Sequence, residues 1–529
     1  MYKIVVLHED KRFELEAQKG DNLHKLIANA NIPIDSSCGG HGTCGKCKIQ
    51  LIEGTLKPPV KHEVELLGDD IKEGIRLACL QKIRGDLAVR TLTAKGAAKI
   101  LSGGTDEKEV DGESGYGLAV DIGTTTVAAF MMDLKTGKLI ATRAALNAQR
   151  PYGGDVVARC GYTMDNPDGL DLLGDLIREQ IAQMTYSICD ATGINRDAIL
   201  RAALVGNPTM MHLVAKLPVR SIAIAPYHPQ YTDGFSRLGS EVGIGIAPDG
   251  IVSFMPVVSG YVGADTIAAV MAAHMDESEE LSLLIDIGTN GEIVLGNKYR
   301  LITCAAAAGP AFEGGKITCG IGGIAGAIDN VKDDGGPTIT TIADEPAKGI
   351  CGSGLIDAIA LLRNKGCIDE TGVLSEDECD NARYCERFDD NGNFMLAYEK
   401  NDAETDVYLT QKDVREVQLA KSAIAAGINI LIQRIGAQTD DIKKVYLAGG
   451  FGNYIDYDSA CTIGLLPPSL RSKIKGIGNA AGTGARMSVC SHKQRERANI
   501  LCHKLEYIEL AEAKEFSDEF MENMMFPEI

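Results

Sequence analysis

Short stretches of alternating apolar and polar residues open the chain. Val5 and Leu7, and then Phe13 and Leu15, follow the two-residue period of a half-buried β-strand. The polar residues 9–11 between the two stretches favour a turn. A β-hairpin is therefore predicted at the start of the chain.

The next apolar residues follow a helical period. Leu23, Leu26 and Ile27 fall on one face of a predicted helix, and Asp21 can cap its first turn. Pro33 and a following pair of glycines then interrupt any regular element. An extended loop is predicted there.

Two strongly apolar strands further along the chain end in the same way. The first is Gly117-Leu-Ala-Val-Asp121-Ile-Gly-Thr-Thr-Thr-Val127, and the second is Ser282-Leu-Leu-Ile-Asp286-Ile-Gly-Thr-Asn-Gly-Glu292, 165 positions later. Each predicts a buried strand, an aspartate at its end and a Gly-Thr turn whose backbone N–H groups can face phosphate oxygens. One such motif can be purely structural, whereas two at this separation indicate a duplicated phosphate-binding unit.

Two glycine-rich segments extend this interpretation. Val445-Tyr-Leu-Ala-Gly449-Gly450-Phe451-Gly452 predicts a strand running into glycines that let the backbone lie against an adenosine. Gly349-Ile-Cys-Gly352-Ser353-Gly354 predicts a loop before a helix that opens at Leu355, with amides available to a phosphate.

The loop after Pro33 carries a cysteine motif. It reads Cys38-Gly-Gly-His-Gly-Thr-Cys44-Gly-Lys-Cys47, and a fourth cysteine follows at Cys79. Three clustered thiolates and one distant thiolate, with glycines that admit the backbone to the cluster, resemble the pattern of 2Fe–2S ferredoxins. A four-thiolate zinc site is the alternative, although such sites usually pair close neighbours.

Two other interpretations of the motif are weaker. Residues 40–46 nearly match a phosphate-binding loop, but Cys47 stands where Ser or Thr is required. A thioredoxin-like interpretation of Cys44 and Cys47 leaves Cys38 and Cys79 unexplained. The other eleven of the fifteen cysteines are scattered singly and are expected to be core or surface residues.

Composition and charge limit the function classes. The 529 residues exceed a single core, and the net charge of −20 disfavours nucleic acid as a partner. No apolar stretch is long enough to span a bilayer, so no membrane is expected and the protein should be cytoplasmic. Reduced thiols or metal ligands are expected rather than disulfides.

The patterns predict four segments. These are a domain at 1–97 whose cysteines resemble those of 2Fe–2S ferredoxins, a glycine-rich and charged flexible linker at 98–116, and two lobes at 117–280 and 281–529, each with an Asp-Ile-Gly-Thr motif near its start.

Taken together, these motifs resemble those of the actin, sugar-kinase and heat-shock-chaperone ATPases, and the whole chain resembles the reductive activators of corrinoid proteins. That resemblance implies an α+β ferredoxin-like (β-grasp) domain followed by a two-lobed α/β actin-like ATPase with a duplicated ribonuclease H-like core. It also implies that the two lobes at 117–280 and 281–529 are ATPase lobes I and II. Further stretches that look like the family begin at Gln149, Gly206, Gly309 and Thr410. Unlike some relatives, the chain has no room for a domain between ferredoxin and ATPase, and with only Cys490 and Cys502 near its end no C-terminal 4Fe–4S cluster is expected.

The resemblance also implies a function and its residues. The chain would use ATP and Mg²⁺ to return an inactive Co(II) corrinoid protein of an anaerobic methyltransferase system to Co(I), with electrons from an upstream ferredoxin or flavoprotein. By motif match the cluster ligands are Cys38, Cys44, Cys47 and Cys79, and the catalytic candidates are Asp121, Asp286 and Glu313, the last with a surface carboxylate as its alternative. The nucleotide-binding candidates are Gly123, Thr124, Thr125, Thr126, Gly288, Thr289, Asn290, Gly352, Ser353, Gly449, Gly450, Phe451 and Gly452.

Two other functions stay open. An ATP-coupled activator of a dehydratase also joins nucleotide to electron transfer, and a small-molecule kinase uses the same ATPase fold. The sequence leaves open the oligomeric state, a homodimer included. It also does not say how ATP is coupled to electron transfer.

Overall fold

The computed structural model describes residues 1–8, 11–30, 32, 34, 42, 45, 47–92, 107–288, 290–377, 379, 381–399, 401–452 and 454–528. Among the predicted site residues, Cys38, Cys44 and Thr289 lie outside the described residues, as do the side chain of Phe451 and any detail of Gly450 beyond its backbone. No helix in the described ranges combines the length and apolar character needed to cross a bilayer.

The N-terminal domain is a five-stranded sheet with two helices. Its elements are β1 (Tyr2–His8), β2 (Lys11–Ala17), α1 (Leu23–Asn29), β3 (Lys48–Gly54), α2 (Lys61–Leu67), β4 (Ile75–Leu77) and β5 (Leu87–Thr91), with 3₁₀ turns at Gly68–Glu73 and Ala78–Leu80. The strand order is β2-β1-β5-β3-β4, with β1 antiparallel to β2 and parallel to β5. The predicted hairpin and the α+β fold class are confirmed.

The cap of α1 differs from the prediction. Asn22 is the N-cap, and its side chain accepts a hydrogen bond from the backbone N–H of Lys25. Asp21 instead accepts from the backbone N–H of Gln18 at 2.7 Å. The Asp21 carboxylate therefore closes the turn that precedes the helix. The side chain of Asn22, the next residue, caps the first turn of α1.

The first ATPase lobe is built around a mixed sheet. Its elements up to residue 272 are β6 (Tyr116–Ile122), β7 (Thr126–Asp133), β8 (Leu139–Leu146), α3 (Val156–Asp165), α4 (Gly169–Thr192), β9 (Ile199–Gly206), α5 (Pro208–Ala215), α6 (Arg220–Ala223), β10 (Phe235–Leu238), α7 (Gly239–Val242), β11 (Ile251–Phe254) and α8 (Ala264–Ala272). The strand order is β10-β11-β9-β6-β7-β8. Both β6 and β7 are nearly continuous apolar runs because helices cover both faces of the sheet.

The second lobe repeats this plan. Its elements are β12 (Ser282–Ile287), β13 (Gly291–Gly296), β14 (Leu301–Ala306), β15 (Ala327–Asp333), β16 (Pro337–Thr341), β17 (Gly349–Ile350), α9 (Gly352–Asn364), α10 (Ala382–Cys385), β18 (Phe394–Ala397), β19 (Val407–Leu409), α11 (Gln411–Ile435), β20 (Lys444–Ala448), α12 (Gly449–Gly452), α13 (Tyr457–Thr462) and β21 (Ile474–Gly478), followed by α14 (Ala480–Cys490), α15 (His492–Lys504), β22 (Leu505–Tyr507) and α16 (Phe516–Glu522). Short 3₁₀ helices lie at Arg150–Tyr152, Arg196–Ala198, Ala311–Glu313, Ile342–Asp344, Thr439–Asp441, Pro468–Lys473 and Leu510–Glu512.

The two lobe sheets share a five-stranded core of the same topology, and they differ in the sixth strand, which is β10 beside β11 in the first sheet and β22 beside β14 in the second. The second sheet has the order β21-β20-β12-β13-β14-β22. In each lobe an antiparallel meander of three strands is followed by a strand that runs parallel to the first of them, β9 beside β6 and β20 beside β12. The duplication predicted from the two Asp-Ile-Gly-Thr motifs is therefore present in the strand order itself.

The chain returns to the first lobe after β21. Helices α14 and α15 fall in the range predicted for the second lobe, yet Ala485, Val489 and Leu501 are buried in the same apolar core as Leu118 of β6. Helix α14 also crosses α8 so closely that a Cβ atom at Gly484 would lie 2.5 Å from Ala268. Helices α8 and α14, which are far apart in sequence, therefore pack against each other in the first lobe.

Half of the predicted flexible linker is described, and it is not free of the ATPase. The backbone N–H of Glu107 donates to the carbonyl of Gly137, and that of Asp111 donates to the carbonyl of Cys490. Residues 107–115 are thereby attached to the first lobe. The preceding part of the linker lies outside the described residues.

Candidate functional site

The two predicted phosphate hairpins have the same local geometry. In the β6–β7 turn the backbone N–H of Gly123 donates to the carbonyl of Thr126 at 3.0 Å, and in the β12–β13 turn that of Gly288 donates to the carbonyl of Asn290 at 2.9 Å. Each of these hydrogen bonds closes a tight turn two residues after the aspartate. A turn of this kind can present backbone N–H groups to an anion.

Asp121 and Asp286 occupy equivalent ends of the two central strands. Asp121 pairs in register with Val205 of β9, and Asp286 pairs with Ala448 of β20. The amide of Asn479, at the start of α14, donates to Asp121 Oδ2 at 2.8 Å. The first lobe's carboxylate is thus oriented by a residue 358 positions away in sequence.

Gly449 lies directly against Asp286. It has a left-handed backbone conformation (φ +81°), and a Cβ atom there would collide with Asp286 Oδ1. Only glycine both adopts this conformation without strain and leaves room for the carboxylate. The first glycine of the predicted adenosine motif therefore adjoins the predicted Mg²⁺-binding acid.

Four carboxyl groups share this region, and their pKa values are raised. Burial raises the pKa of Asp121 and of Asp286 to about 7, with the charge of Asp265 adding to both. Burial also raises the pKa of Asp265 to about 6. The pKa of Glu292 is held well above its usual range by burial and then by Asp265 and Asp286.

Such an arrangement fits a divalent cation. Clustered, desolvated carboxylates repel one another and resist ionisation until an opposite charge lies among them. Oxygen ligands of this kind are those that Mg²⁺ prefers, usually together with nucleotide phosphates and water. Asp121 and Asp286 would hold the ion, and Asp265 and Glu292 were not anticipated from the sequence.

The hairpin of the first lobe is fixed by polar side chains. Asn207 donates from its amide to Thr124 Oγ1 at 2.9 Å, and Asn147 donates to the carbonyl of Gly123 at 2.8 Å. Arg159 is fully buried, and its guanidinium donates to the carbonyl of Thr124 at 2.5 Å. Burial lowers the pKa of Arg159 to about 9.

Glu313 lies among these groups rather than on an outer surface loop. It is half-buried in a 3₁₀ helix, and its Oε1 would be 3.9 Å from a Cβ atom at Gly288. Its charge also acts on Arg159, which belongs to the other lobe. The position is compatible with the predicted third acid, and its catalytic role stays a prediction.

The other glycine-rich segment is packed more deeply than expected. Helix α9 begins at Gly352 rather than at Leu355, and the hydroxyl of the buried Ser353 donates to the carbonyl of Asp329 at 2.8 Å. That hydroxyl is committed to the contact of α9 with its neighbouring strand. Binding of a phosphate by Gly352 and Ser353 stays a prediction, and it would depend on backbone amides.

The two described cysteines of the predicted cluster lie together. Cys47 and Cys79 are buried, and their Sγ atoms are 3.2 Å apart without forming a disulfide. Gly42, with φ +82°, would place a Cβ atom 4.0 Å from Cys79 Sγ and 2.9 Å from Leu80. Two buried thiols next to each other, beside a glycine-lined backbone, fit a thiolate-ligated 2Fe–2S cluster.

A buried carboxylate organises the segment around Cys79. Glu63 Oε1 accepts from Arg76 Nε, from the backbone N–H of Leu77 and from the amide of Gln81, and its Oε2 accepts from Arg76 Nη2 at 2.7 Å. On the same helix, a ring nitrogen of His62 is 3.1 Å from the carbonyl oxygen of Gly42. Helix α2 therefore contacts both parts of the cysteine motif.

Comparison with known proteins matches three successive parts of the chain to family models. Residues 6–84 match the model of the 2Fe–2S iron–sulfur cluster binding domain, residues 116–278 match the RACo middle region, and residues 280–529 match the C-terminal domain of RACo, the ASKHA domain. The corrinoid activation enzyme RamQ of Eubacterium limosum is 37% identical over 418 residues, 78% of this chain and 70% of the relative. The chain belongs to the family of reductive activators of corrinoid proteins.

Two further comparisons support membership of this family. The [Co(II) methylated amine-specific corrinoid protein] reductase of Methanosarcina barkeri is 26% identical over 440 residues, 77% of this chain and 76% of that protein. A solved structure described as a reductive activator for corrinoid, iron–sulfur protein superimposes with a TM-score of 0.71 at 30% identity, covering all of this chain and 98% of the other. The predicted fold class and resemblance are confirmed.

Several residues of this activator escaped the sequence analysis. Arg159 and Asn207 lie in or next to stretches already noted as similar to the family, so that similarity was an available signal. Asp265 is the second residue of α8, and Asn479 begins a small-residue helix. Neither has a local motif that predicts proximity to Asp121.

Proposed function

We propose that this chain uses ATP to drive one-electron reduction of an inactive Co(II) corrinoid protein of a methyltransferase system to Co(I). The proposal is supported by the names of the two relatives and of the solved structure, which are a corrinoid activation enzyme, a Co(II) corrinoid protein reductase and a reductive activator. The observation that carries it is the presence, in one chain, of paired buried cysteines and a duplicated nucleotide-type site.

The two halves of the chain supply different parts of the reaction. A 2Fe–2S cluster supplies a one-electron carrier when bound, and Cys47 and Cys79, with Cys38 and Cys44, would hold it. One electron enters from an upstream donor, a ferredoxin or a flavoprotein, and leaves to the cobalt of the partner. No atom is transferred in this step.

The ATPase half acts on nucleotide. Backbone amides of the two hairpins would bind and orient the phosphates, and Asp121 and Asp286 would supply carboxylate ligands to Mg²⁺, which would offset the phosphate charge. Hydrolysis then produces ADP and phosphate from ATP and water. Since the two carboxylates belong to different lobes, closure of the lobes around nucleotide is the step by which ATP changes the shape presented to the corrinoid protein.

One experiment tests the proposal directly. Purified protein with its cluster is mixed anaerobically with a strong reductant, a Co(II) corrinoid protein and Mg·ATP, and the absorbance of Co(I) is followed. We expect Co(I) to form with ATP and not without it. The Cys79→Ser and Asp286→Asn variants are expected to be inactive for different reasons, loss of the cluster and loss of productive nucleotide binding.

The same samples distinguish the other functions. ATP-independent reduction, or reduction by the Cys79→Ser variant, would contradict the proposal. The spectrum of a 4Fe–4S cluster, in place of that of a 2Fe–2S cluster, would favour an activator of the dehydratase type. Transfer of phosphate to a small molecule instead of water would identify a kinase.

A further inference from the structure

Acidic residues alternate along the segment that enters the ATPase. Glu107, Glu109, Asp111 and Glu113 are separated by two positions each. In an extended chain, alternate side chains point to the same side. The four carboxylates can therefore face one surface. In the structure, that surface is formed by helices α14 and α15 and by neighbouring strands.

The middle of this acidic segment is hydrogen-bonded to the junction between the two helices. We call the contacts that residues 107–113 make with the first lobe, including α14 and α15, the clasp. The backbone N–H of Asp111 donates to the carbonyl of Cys490, the last residue of α14. Asp111 Oδ2 accepts from the backbone N–H of His492, the first residue of α15, at 2.7 Å. One residue thus satisfies a terminal carbonyl of one helix and a terminal amide of the next.

Glu109 and Glu113 extend the clasp with ion pairs. Glu109 accepts from Lys493 Nζ at 2.7 Å and from the amide of Gln494 at 2.6 Å. Glu113 forms two hydrogen bonds of 2.5 Å with the guanidinium of Arg201. Lys493 is 78% exposed and Glu109 is 45% exposed, so this contact is individually weak and can open and close.

Glu107 is held at a more protected position. Its backbone N–H donates to the carbonyl of Gly137 at 2.7 Å, and its carboxylate lies 3.5 Å from Arg486 Nε. The side chain of Arg486 is 3% exposed, and that of Glu107 is 13% exposed. The acidic segment therefore contacts α14 along its side as well as at its C-terminal end.

The opposite end of α14 lies in the candidate nucleotide site. Asn479, its N-cap, accepts from the backbone N–H of Gly482 and donates to Asp121. The helix has 11 residues and is thus about 16 Å long. A single rigid element joins the carboxylate of the first lobe to the clasp.

The crossing with α8 restricts how α14 can move. A Cβ atom at Gly484 would lie within 2.5 Å of Ala268, so the two helices pack with no room for a side chain at this position. Asp265, near the start of α8, adjoins the same carboxylate group as Asp121. We therefore expect a rearrangement around nucleotide to shift or rotate α14 as a rigid body. It should not be taken up by a change in the packing of α14 on α8.

We propose that α14 is a relay between nucleotide and the ferredoxin domain: binding of nucleotide at Asp121 and Asp286 shifts α14 and changes how firmly residues 107–113 are clasped. Release of residues 107–113 would lengthen the connection that can separate the ferredoxin domain from the first lobe, so nucleotide state would control the reach of the electron carrier. This inference rests on the proposed function, because it assigns a regulation to the same nucleotide site.

Hydrogen exchange of the full-length protein tests the relay. Peptides that cover residues 107–113 are compared without nucleotide and with a saturating non-hydrolysable Mg·ATP analogue, and binding of the analogue is measured in the same sample. We expect the analogue to change exchange of the Glu107 and Asp111 amides by about threefold or more, since both are hydrogen-bonded across the clasp.

A paired variant separates the clasp from the site. In Glu109→Gln/Asp111→Asn, these amides should exchange rapidly with and without the analogue, while analogue binding and basal ATP hydrolysis stay within about twofold of wild type. ATP-dependent reduction of the corrinoid protein should fall by about fivefold or more, because reach is no longer controlled. Glu279→Gln is the matched control, since it neutralises an exposed carboxylate paired with Lys298 on the second lobe at 2.6 Å.

The outcomes are distinguishable. If the analogue binds wild type but leaves exchange of residues 107–113 unchanged, the relay is overturned and the proposed function stands. Wild-type reduction by the paired variant also overturns the relay. If the analogue does not bind at all, the ATP-dependent function fails together with it.

Discussion

The cluster of raised pKa values predicts that Asp286→Asn makes the nucleotide-free protein more stable while removing its activity. Burial, and the charges of Asp265 and Asp121, raise the pKa of Asp286 from 3.8 to about 7. Three pKa units correspond to about 4 kcal/mol of folded-state destabilisation when the group is ionised. Asparagine has nearly the same shape and no charge, so it removes this cost.

The expected gain is smaller than that limit, because burial is the largest cause of the raised pKa and the buried amide of asparagine also loses its hydration. A gain of about 2 kcal/mol would raise the melting temperature of the ATPase part, which has roughly 410 residues, by about 2–3 °C. It should also depend on pH. Since the folded pKa lies above the unfolded one, the cost begins as pH rises through 3.8 and is complete above about 7.

Thermal unfolding at two pH values, without Mg²⁺ or nucleotide, measures this effect. The gain should be largest at pH 8 and smaller at pH 6, by about 1 kcal/mol. Asp390→Asn, which neutralises an exposed carboxylate on the second lobe, should leave the melting temperature nearly unchanged. Equal stability of Asp286→Asn and wild type at pH 8, or a gain that does not change with pH, would refute the electrostatic argument.

Three further outcomes are expected. The purified protein should contain about two irons and two labile sulfides per chain, and Cys79→Ser should lose both while still binding nucleotide; stoichiometric zinc would contradict the cluster assignment. Glu63→Gln leaves Arg76 without its buried charged partner and should lower the free energy of unfolding of the ferredoxin domain by about 3–5 kcal/mol. The visible absorbance should therefore bleach at a lower temperature, and an unchanged bleaching temperature would contradict this role of Glu63. Gly449→Ala forces a Cβ atom into Asp286 and should weaken nucleotide binding by about tenfold or more in a fluorescence titration, with normal affinity as the contrary result.

Local patterns were sufficient for much of the fold. The period of two in β1 and β2 is fixed by which side chains meet the core. The duplicated hairpins span 18 residues (Tyr116–Asp133) and 15 residues (Ser282–Gly296). Asp121 and Asp286 could be named because strand, turn and acid are adjacent in sequence. Cys47 and Cys79 could be named because their spacing resembles that of a known ligand set.

Contacts between distant segments could not be predicted in the same way. Asn479 orients Asp121 across 358 positions, and no local pattern in either segment records the other. The acids of residues 107–113 were visible in the sequence but were assigned to a flexible linker, because their partners on α14 and α15 lie nearly 400 residues later. Asp21 was expected to cap α1, but its carboxylate accepts from the backbone N–H of Gln18 instead, and Asn22 is the cap.

The return of α14 and α15 to the first lobe has a consequence for synthesis. The core around Leu118 lacks Ala485, Val489 and Leu501 until the ribosome has passed residue 501, whereas most of the second lobe's core lies between residues 283 and 470. The second lobe can therefore fold while the first is still waiting for its last helices. Nascent chains halted before residue 480 should expose an unfinished first lobe to proteases and chaperones beside an already protected second one.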